Sequence, residues 1–167
     1  MTVDLQPVVQ LYEDFGVRTI LIGGWAASLH GSLRSTVDHD FVYDRSDGNV
    51  AKLCAAMATI NPRLRGAPAG LPFVFDEATV RSGLNFTLQT DLGAIDLLGE
   101  VTGGGRYADL MPHTQELMVF GCTLRVVTLE RLIQLKRAAG RPKDLEALAE
   151  LTALLEERRR MEGEAAE

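Results

Sequence analysis

Two aspartates separated by a single residue, Asp38 and Asp40, are placed where their side chains could do chemistry. They lie in the segment TVDHDFVY, which reads as a β-strand. Side chains two residues apart in a strand point to the same face, so both carboxylates are expected on one side of a sheet. A third carboxylate, Asp96, interrupts the apolar segment AIDLL, which reads as another strand. If these strands are neighbours, the three carboxylates converge and repel one another unless a cation is bound.

A divalent cation is the expected partner of this group. A set of oxygen ligands without His or Cys suits Mg²⁺ or Mn²⁺, so we predict that Asp38, Asp40 and Asp96 bind the metal. Asp91, which lies beside a turn glycine, is the second choice for the third ligand. A structural role, with each aspartate paired to a basic group, is the alternative for any one of them taken alone.

Two adjacent glycines, Gly23 and Gly24, follow an apolar strand-like segment and begin a short run of small residues. Without side chains, they would let a ligand approach the backbone closely. A helix that begins there presents free N–H groups and the positive end of its dipole, which favours phosphate. A phosphate site beside carboxylates that hold a metal is typical of phosphoryl or nucleotidyl transfer. A plain turn is the alternative for the glycine pair alone.

The segment GGWAASLHGSLRSTVDHDFV, residues 23 to 42, resembles the signature of the nucleotidyltransferase superfamily related to DNA polymerase β. That signature is a Gly-Gly or Gly-Ser turn, a helix, a strand with Asp-x-Asp, and a third carboxylate on a later strand. The R-x-T-x-D-x-D variant and the ending TLERLIQLKRAAGRPKDLEAL are most similar to small bacterial AbiEii-like nucleotidyltransferases. These are often the toxins of toxin–antitoxin pairs. The similarity covers residues 18 to 155.

The resemblance implies an Mg²⁺-dependent enzyme that moves a nucleoside monophosphate from a nucleoside triphosphate such as ATP to an acceptor hydroxyl. By this resemblance Asp38 and Asp40 bind the metal and Asp96 completes the catalytic site. Gly23 and Gly24 then face the triphosphate. The sequence departs from the pattern twice: Gly24 stands where many relatives have Ser, and His39 lies between the aspartates where an aliphatic residue is usual.

Three further residues are predicted to bind the nucleotide. Arg34 and Thr36, just before the aspartate strand, are placed to contact phosphate, although they could simply close the loop. Lys136 resembles a lysine of the related proteins and could neutralise triphosphate charge. A solvated helix face is the alternative for Lys136. Trp25 could stack on a base or pack in the core, and the sequence favours neither.

The elements around these residues predict an α+β (mixed α/β) fold, a nucleotidyltransferase-like mixed sheet flanked by helices with a C-terminal helical pair. The order is helix, strand, helix, strand, helix, two hairpins and two helices, with Asn49 capping the third helix. Residues 61 to 83 and 102 to 106 read as irregular connections. One domain is expected over residues 1 to 160, followed by a frayed tail over 161 to 167.

Composition narrows the classes of function. The chain has 167 residues and a net charge of −6, which argues against a broad nucleic-acid-coating surface. Its apolar stretches are too short to span a membrane, and the first ten residues lack a signal-peptide pattern, so a cytoplasmic protein is predicted. Cys54 and Cys122 have no metal-type spacing and are expected to pack in the core.

The sequence leaves the acceptor open. A tRNA end or a protein fits a toxin with an antitoxin partner, and a small molecule fits related enzymes that modify antibiotics. The alternative to an enzyme is a catalytically silent module of the same fold that binds a nucleotide or a partner protein. A structural protein in which the motif is a coincidence is a third possibility.

Overall fold

The computed structural model describes residues 4 to 166, so Met1–Val3 and Glu167, the last residue of the predicted tail, lie outside the described residues. The helices are α1 Gln6–Phe15, α2 Gly23–Leu29, α3 Asp47–Ala58, α4 Glu77–Ser82, α5 Tyr107–Leu110, α6 Leu129–Ala139 and α7 Pro142–Ala166. The strands are β1 Thr19–Ile22, β2 Asp38–Tyr43, β3 Arg63–Leu64, β4 Asn85–Thr90, β5 Gly93–Leu98, β6 Glu100–Val101, β7 Gly105–Arg106, β8 Thr114–Val119 and β9 Cys122–Val127.

Seven strands form one mixed sheet in the order β3-β4-β5-β2-β1-β9-β8. The pairs β2–β5 and β1–β9 are parallel, and the other neighbours are antiparallel. This confirms the predicted α+β fold with its mixed sheet. Strand β2, which carries the Asp-x-Asp motif, lies in the middle of the sheet, where neighbours on both sides fix its register.

Alternation along β2 separates the apolar core from the carboxylates. His39, Phe41 and Tyr43 are fully buried on one face. Tyr12 of α1 packs edge-on against Phe41, with ring centroids 5.1 Å apart. The opposite face carries Asp38 and Asp40, because strand side chains alternate. The helical pair α6–α7 packs together as predicted, and both helices face these carboxylates across a cavity.

Two local predictions about α3 and residues 61 to 83 are wrong in detail. Asn49 does not cap α3, which begins at Asp47 with Ser46 before it. Instead Asn49 is buried and its carboxamide binds the backbone of Arg18, ahead of β1. The stretch 61 to 83 is not wholly irregular, since β3 pairs with β4 and α4 lies at its end. The capping carboxylate of Asp76 accepts a hydrogen bond from Thr79 N–H at 2.8 Å, which explains where α4 begins.

The glycine-rich stretch at 102 to 106 is also more ordered than expected. Strands β6 and β7 pair across it, and α5 follows at once. Gly103 and Gly105 both have positive φ, which only a residue without Cβ adopts freely. The turn therefore needs glycine for its geometry, and no phosphate loop is required to explain it.

The last helix continues into the stretch predicted to be a frayed tail. Helix α7 continues to Ala166, through most of the stretch expected to be frayed. Every side chain from Arg159 to Ala166 is exposed, so the tertiary core does not hold this last part. Across residues 4 to 166, no helix combines the length and the apolar character needed to cross a membrane.

Candidate active site

The pairing of β2 with β5 brings the carboxylates together. Asp40 lies directly opposite Asp96 in the parallel register, and Asp38 lies opposite Ala94. Residues in register on adjacent strands project from the same face of the sheet. The condition set by the sequence, that the two strands are neighbours, is therefore met. Asp91 lies away from this group, in the β4–β5 turn, where its carboxylate accepts a hydrogen bond from the Asn61 side chain at 2.6 Å.

Among these carboxylates, Asp40 has a clearly raised pKa. Burial raises the pKa of Asp40 to about 7, with further contributions from the charge and hydrogen bonding of Asp96 and from the charge of Asp38. The charge of Lys136 acts in the opposite direction. A proton or a bound cation would stabilise a carboxylate in this position.

The two glycines permit a close approach of the chain to itself. A Cβ on Gly23 would lie 2.1 Å from Asp40 Oδ2, and one on Gly24 would lie 2.5 Å from Thr36 Oγ1. Gly23 also has a φ of +70°, which disfavours any other residue. The sequence suggested that the missing side chains make room for a ligand. In the structure, the side chains of Asp40 and Thr36 occupy the space beside the two glycines. The missing side chains therefore let the start of α2 pack closely against Asp40 and Thr36.

A cavity of about 490 Å³ lies between this face of the sheet and helices α6 and α7. The predicted site residues that line it are Gly23, Gly24, Arg34, Thr36, Asp38, Asp40 and Lys136. Apolar side chains, among them Leu98, Leu132 and Leu151, cover much of the rest. This combination of an apolar lining and a few converging charged groups is typical of a small-molecule site.

The remaining predicted residue, Asp96, lies beside the cavity and is paired with an arginine. Arg65, directly after β3, donates from Nη2 to Asp96 Oδ1 at 2.8 Å and to the Leu88 carbonyl at 2.8 Å. Nothing in the sequence pattern indicated Arg65, because it reaches Asp96 only through the packing of β3 and β4 beside β5. Within residues 4 to 166, no three His, Cys, Asp or Glu side chains are arranged as a ready metal site.

A buried ion pair holds Lys136 in the cavity lining. The Lys136 Nζ atom lies 3.5 Å from Asp144 Oδ1, and the Lys136 side chain is 16% exposed, so it does not lie on a solvated face. Asp144 is fully buried and also accepts a hydrogen bond from Arg141 Nε at 2.6 Å. Burial by itself would raise the pKa of Asp144, but Arg141 and Lys136 outweigh it and lower the pKa.

Asp144 was not among the site residues predicted from the sequence. The signal that could have found it is its place eight residues after Lys136, across a Gly-Arg-Pro turn that folds α7 back onto α6. A carboxylate in that turn can meet a lysine of the preceding helix.

The loop between α2 and β2 is fixed by α7. Glu150 accepts hydrogen bonds from the Ser32 hydroxyl and from Leu33 N–H, the latter at 3.1 Å. Arg34 lies 3.6 Å from Glu146, with both side chains largely exposed. Thr36 Oγ1 lies 3.5 Å from the Asp38 carbonyl. Arg34 and Thr36 therefore help to close the loop, and both also line the cavity.

The aromatic and histidine side chains near the motif have packing contacts. Trp25 stacks on His39, with centroids 6.1 Å apart and an interplanar angle of 12°. The His39 ring nitrogens lie 2.9 Å from the Ala94 carbonyl and 3.0 Å from the Asp4 carbonyl. His30 Nε2 lies 2.8 Å from the Val127 carbonyl. These contacts favour core packing for Trp25 and His30.

Comparison with known proteins agrees with this architecture. No family model matches the sequence, and no curated protein matches it. The fold is similar to that in the crystal structure of a "putative nucleotidyltransferase" from Thermotoga maritima, with a TM-score of 0.56 and 14% sequence identity. The match covers 89% of this chain and 90% of that chain. At this identity the likeness concerns the fold alone, and the chain shares its α+β fold with this "putative nucleotidyltransferase".

Proposed function

We propose that this protein is a nucleotidyltransferase that moves a nucleoside monophosphate from a nucleoside triphosphate to an acceptor hydroxyl, with release of pyrophosphate. One observation carries the proposal. The carboxylates of Asp38 and Asp40 line a cavity of about 490 Å³ together with the cationic side chains of Lys136 and Arg141. Carboxylates and cations on one cavity surface suit a metal-bound polyphosphate, because each sign of charge has a partner there.

A divalent cation is the partner that we propose for these carboxylates, which would have to draw closer together to hold it. Asp40 is paired in register with Asp96, and its raised pKa reflects burial and the repulsion of neighbouring carboxylates, which a cation would relieve. Asp38, Asp40 and Asp96 would hold the ion through carboxylate oxygens, the ligands that Mg²⁺ and Mn²⁺ prefer. When bound, such an ion neutralises developing charge on the phosphoryl oxygens and favours ionisation of an attacking hydroxyl.

The protein's own side chains would bind and orient the nucleotide. Lys136 is held by Asp144 and also acts electrostatically on Asp40, so its ammonium group can donate to phosphate oxygens close to the carboxylates. Arg34, Arg141 and Lys143 also line the cavity and extend the positive surface. Leu132, Leu135 and Leu151 of α6 and α7 give the cavity an apolar wall beside these charges, and charge interactions next to such a wall are less screened than in water.

The acceptor is proposed only as a hydroxyl compound. The resemblance to AbiEii-like proteins suggests a tRNA end or a protein acceptor, a toxin role and an antitoxin partner. The net charge of −6 favours a protein or small acceptor over extended RNA. The basic residues that line the cavity are enough for a single RNA end.

The first experiment is calorimetric titration of each nucleoside triphosphate with Mg²⁺ into the wild type and Asp38→Asn/Asp40→Asn. We expect binding of at least one triphosphate, weakened at least tenfold in the double variant, since two negative ligands are lost. The matched control is Asp91→Asn, which removes an exposed carboxylate in the β4–β5 turn and should bind as the wild type does. Transfer of labelled nucleotide to candidate RNA, protein and small-molecule acceptors then follows.

A catalytically silent nucleotide-binding module is the second candidate. It is favoured by the Arg65–Asp96 ion pair, since a guanidinium already neutralises the third carboxylate. Triphosphate binding that is insensitive to Mg²⁺ and to both aspartates would support this candidate. Absence of any triphosphate binding by the folded protein would contradict both and favour a partner-binding role.

A further inference from the structure

Arg65, next to the edge strand β3, contacts one of the three clustered carboxylates, that of Asp96. It follows β3 directly, and its backbone N–H donates to the Thr87 carbonyl at 3.0 Å, which extends the pairing with β4. From this anchored position the side chain crosses β4 to reach Asp96 on β5. Its own strand and the next one therefore fix where the guanidinium lies.

One nitrogen of the guanidinium makes both of its hydrogen bonds, and the side chain is partly buried. Nη2 donates to the Leu88 carbonyl and to Asp96 Oδ1, each at 2.8 Å. Nε is buried and has no hydrogen-bond partner among the described residues. A buried donor without a partner lowers the free energy of unfolding, so arginine at this position reduces stability through its Nε. The side chains of Arg65 and Asp96 are 29% and 22% exposed, so water screens this pair only in part.

The contact engages one oxygen of Asp96 and leaves the other for the neighbouring strand. Asp40 lies directly opposite Asp96 in the register of β2 and β5, so the two carboxylates lie on the same face of the sheet. A carboxylate that binds a metal through one oxygen is commonly held by a hydrogen bond at the other, which fixes its orientation. The Arg65 contact has this form.

We infer that Arg65 is a positioning residue, which orients Asp96 so that, with Asp40, it would hold a divalent cation. The inference rests on the proposed function, because it gives Asp96 its role as the third ligand. The guanidinium also offsets part of the repulsion among the three carboxylates and so helps to keep them together before a cation arrives.

The test is the affinity of the metal-free protein for Mn²⁺ alone, measured by the electron paramagnetic resonance signal of free Mn²⁺. Arg65→Gln is expected to weaken binding by roughly ten- to a hundredfold, the usual cost of losing such a supporting contact. Arg65→Lys should recover part of the affinity, since it restores the charge without the fork of donors. Arg63→Gln is the control, an exposed arginine two residues before Arg65, in β3, and should bind as the wild type does.

The outcomes separate this inference from the proposed function. Asp40→Asn is measured in parallel, and thermal unfolding of every variant checks that the fold is retained. Wild-type binding that needs Asp40 but is unchanged in Arg65→Gln would overturn the positioning role and leave the proposed function standing. Tighter binding by Arg65→Gln would also overturn it, because the guanidinium would then compete with the cation. Failure of the wild type to bind Mn²⁺ would overturn this inference, whereas the triphosphate titration with Mg²⁺ decides the proposed function.

Discussion

At the scale of single residues, Asp40 links the fold to the proposed chemistry. Its register partner is another aspartate, and Gly23 has no side chain that could fill the space beside Asp40 Oδ2. Burial and the neighbouring negative charges raise the pKa of Asp40 to about 7. In the absence of a cation this residue destabilises the folded protein at neutral pH. A cation that binds only the folded state would offset this loss of stability.

The pH dependence of stability tests this. The pKa of Asp40 is about 7 in the folded protein against 3.8 in an unfolded chain, so between these pH values the folded state binds more protons. Stability therefore falls as the pH rises through this window. Asp40→Asn removes this loss, and we expect it to gain at least about 1 kcal/mol over the wild type between pH 4 and pH 8, since one pKa unit corresponds to about 1.4 kcal/mol.

Urea unfolding in the presence of a chelator, at several pH values, measures this difference. The comparison uses each protein's free energy of unfolding, so that titration of other groups cancels. Parallel pH profiles for the wild type and Asp40→Asn would contradict the raised pKa.

At the scale of elements, the joint between α6 and α7 connects the fold to the cavity. Gly140 ends α6 in the left-handed conformation, and Arg141 and Asp144 form the first turn of the next helix. Asp144 is fully buried and has two cationic partners, Lys136 from α6 and Arg141 from the turn. The ion pairs of Asp144 therefore link α6 to the start of α7 and also hold Lys136 in the lining of the cavity.

Asp144→Asn is expected to destabilise the protein by about 3 kcal/mol, because it leaves the largely buried Lys136 ammonium without its counter-charge. The control is Glu146→Gln on the same helix, whose contact with Arg34 is exposed and should change stability by less than about 0.5 kcal/mol. Chemical unfolding of both variants measures the effect. Equal stability of the two would mean that Asp144 does not hold the joint.

At the scale of the whole molecule, the mixed sheet and the helical pair enclose the site, and the end of α7 extends beyond them. Leu151 and Leu155 are the last buried side chains of the described chain, and the residues from Arg159 are exposed. A helix turn that buries no apolar surface contributes little to stability, since propensity alone is weak.

Truncation after Arg160 is therefore expected to change the free energy of unfolding by less than about 0.5 kcal/mol. Leu151→Ala, in the buried part of the same helix, should cost about 2 kcal/mol or more, because it opens a cavity in the core. Thermal and chemical unfolding of the two proteins compare these effects. A truncated protein as unstable as Leu151→Ala would show that the end of α7 has a tertiary or intermolecular contact.

The sequence by itself determined the features that depend on local pattern. Alternation around Asp38 and Asp40 placed both on one face of a strand, and the spacing of leucines predicted the paired C-terminal helices. These succeed because strand and helix periodicity are local properties of the chain. The sequence left open whether the Asp-x-Asp strand and the segment around Asp96 are neighbours, which the structure shows them to be.

Only the tertiary structure decided which charges meet. Arg65 reaches Asp96 across another strand, and Asp144 reaches Lys136 across a helix joint, so neither contact follows from local periodicity. It also decided what fills the space at Gly23, where the nearest group is the Asp40 carboxylate of the chain itself. The physical reason is common to these cases: the energy of a charge depends on the partners and solvent that the complete fold leaves around it.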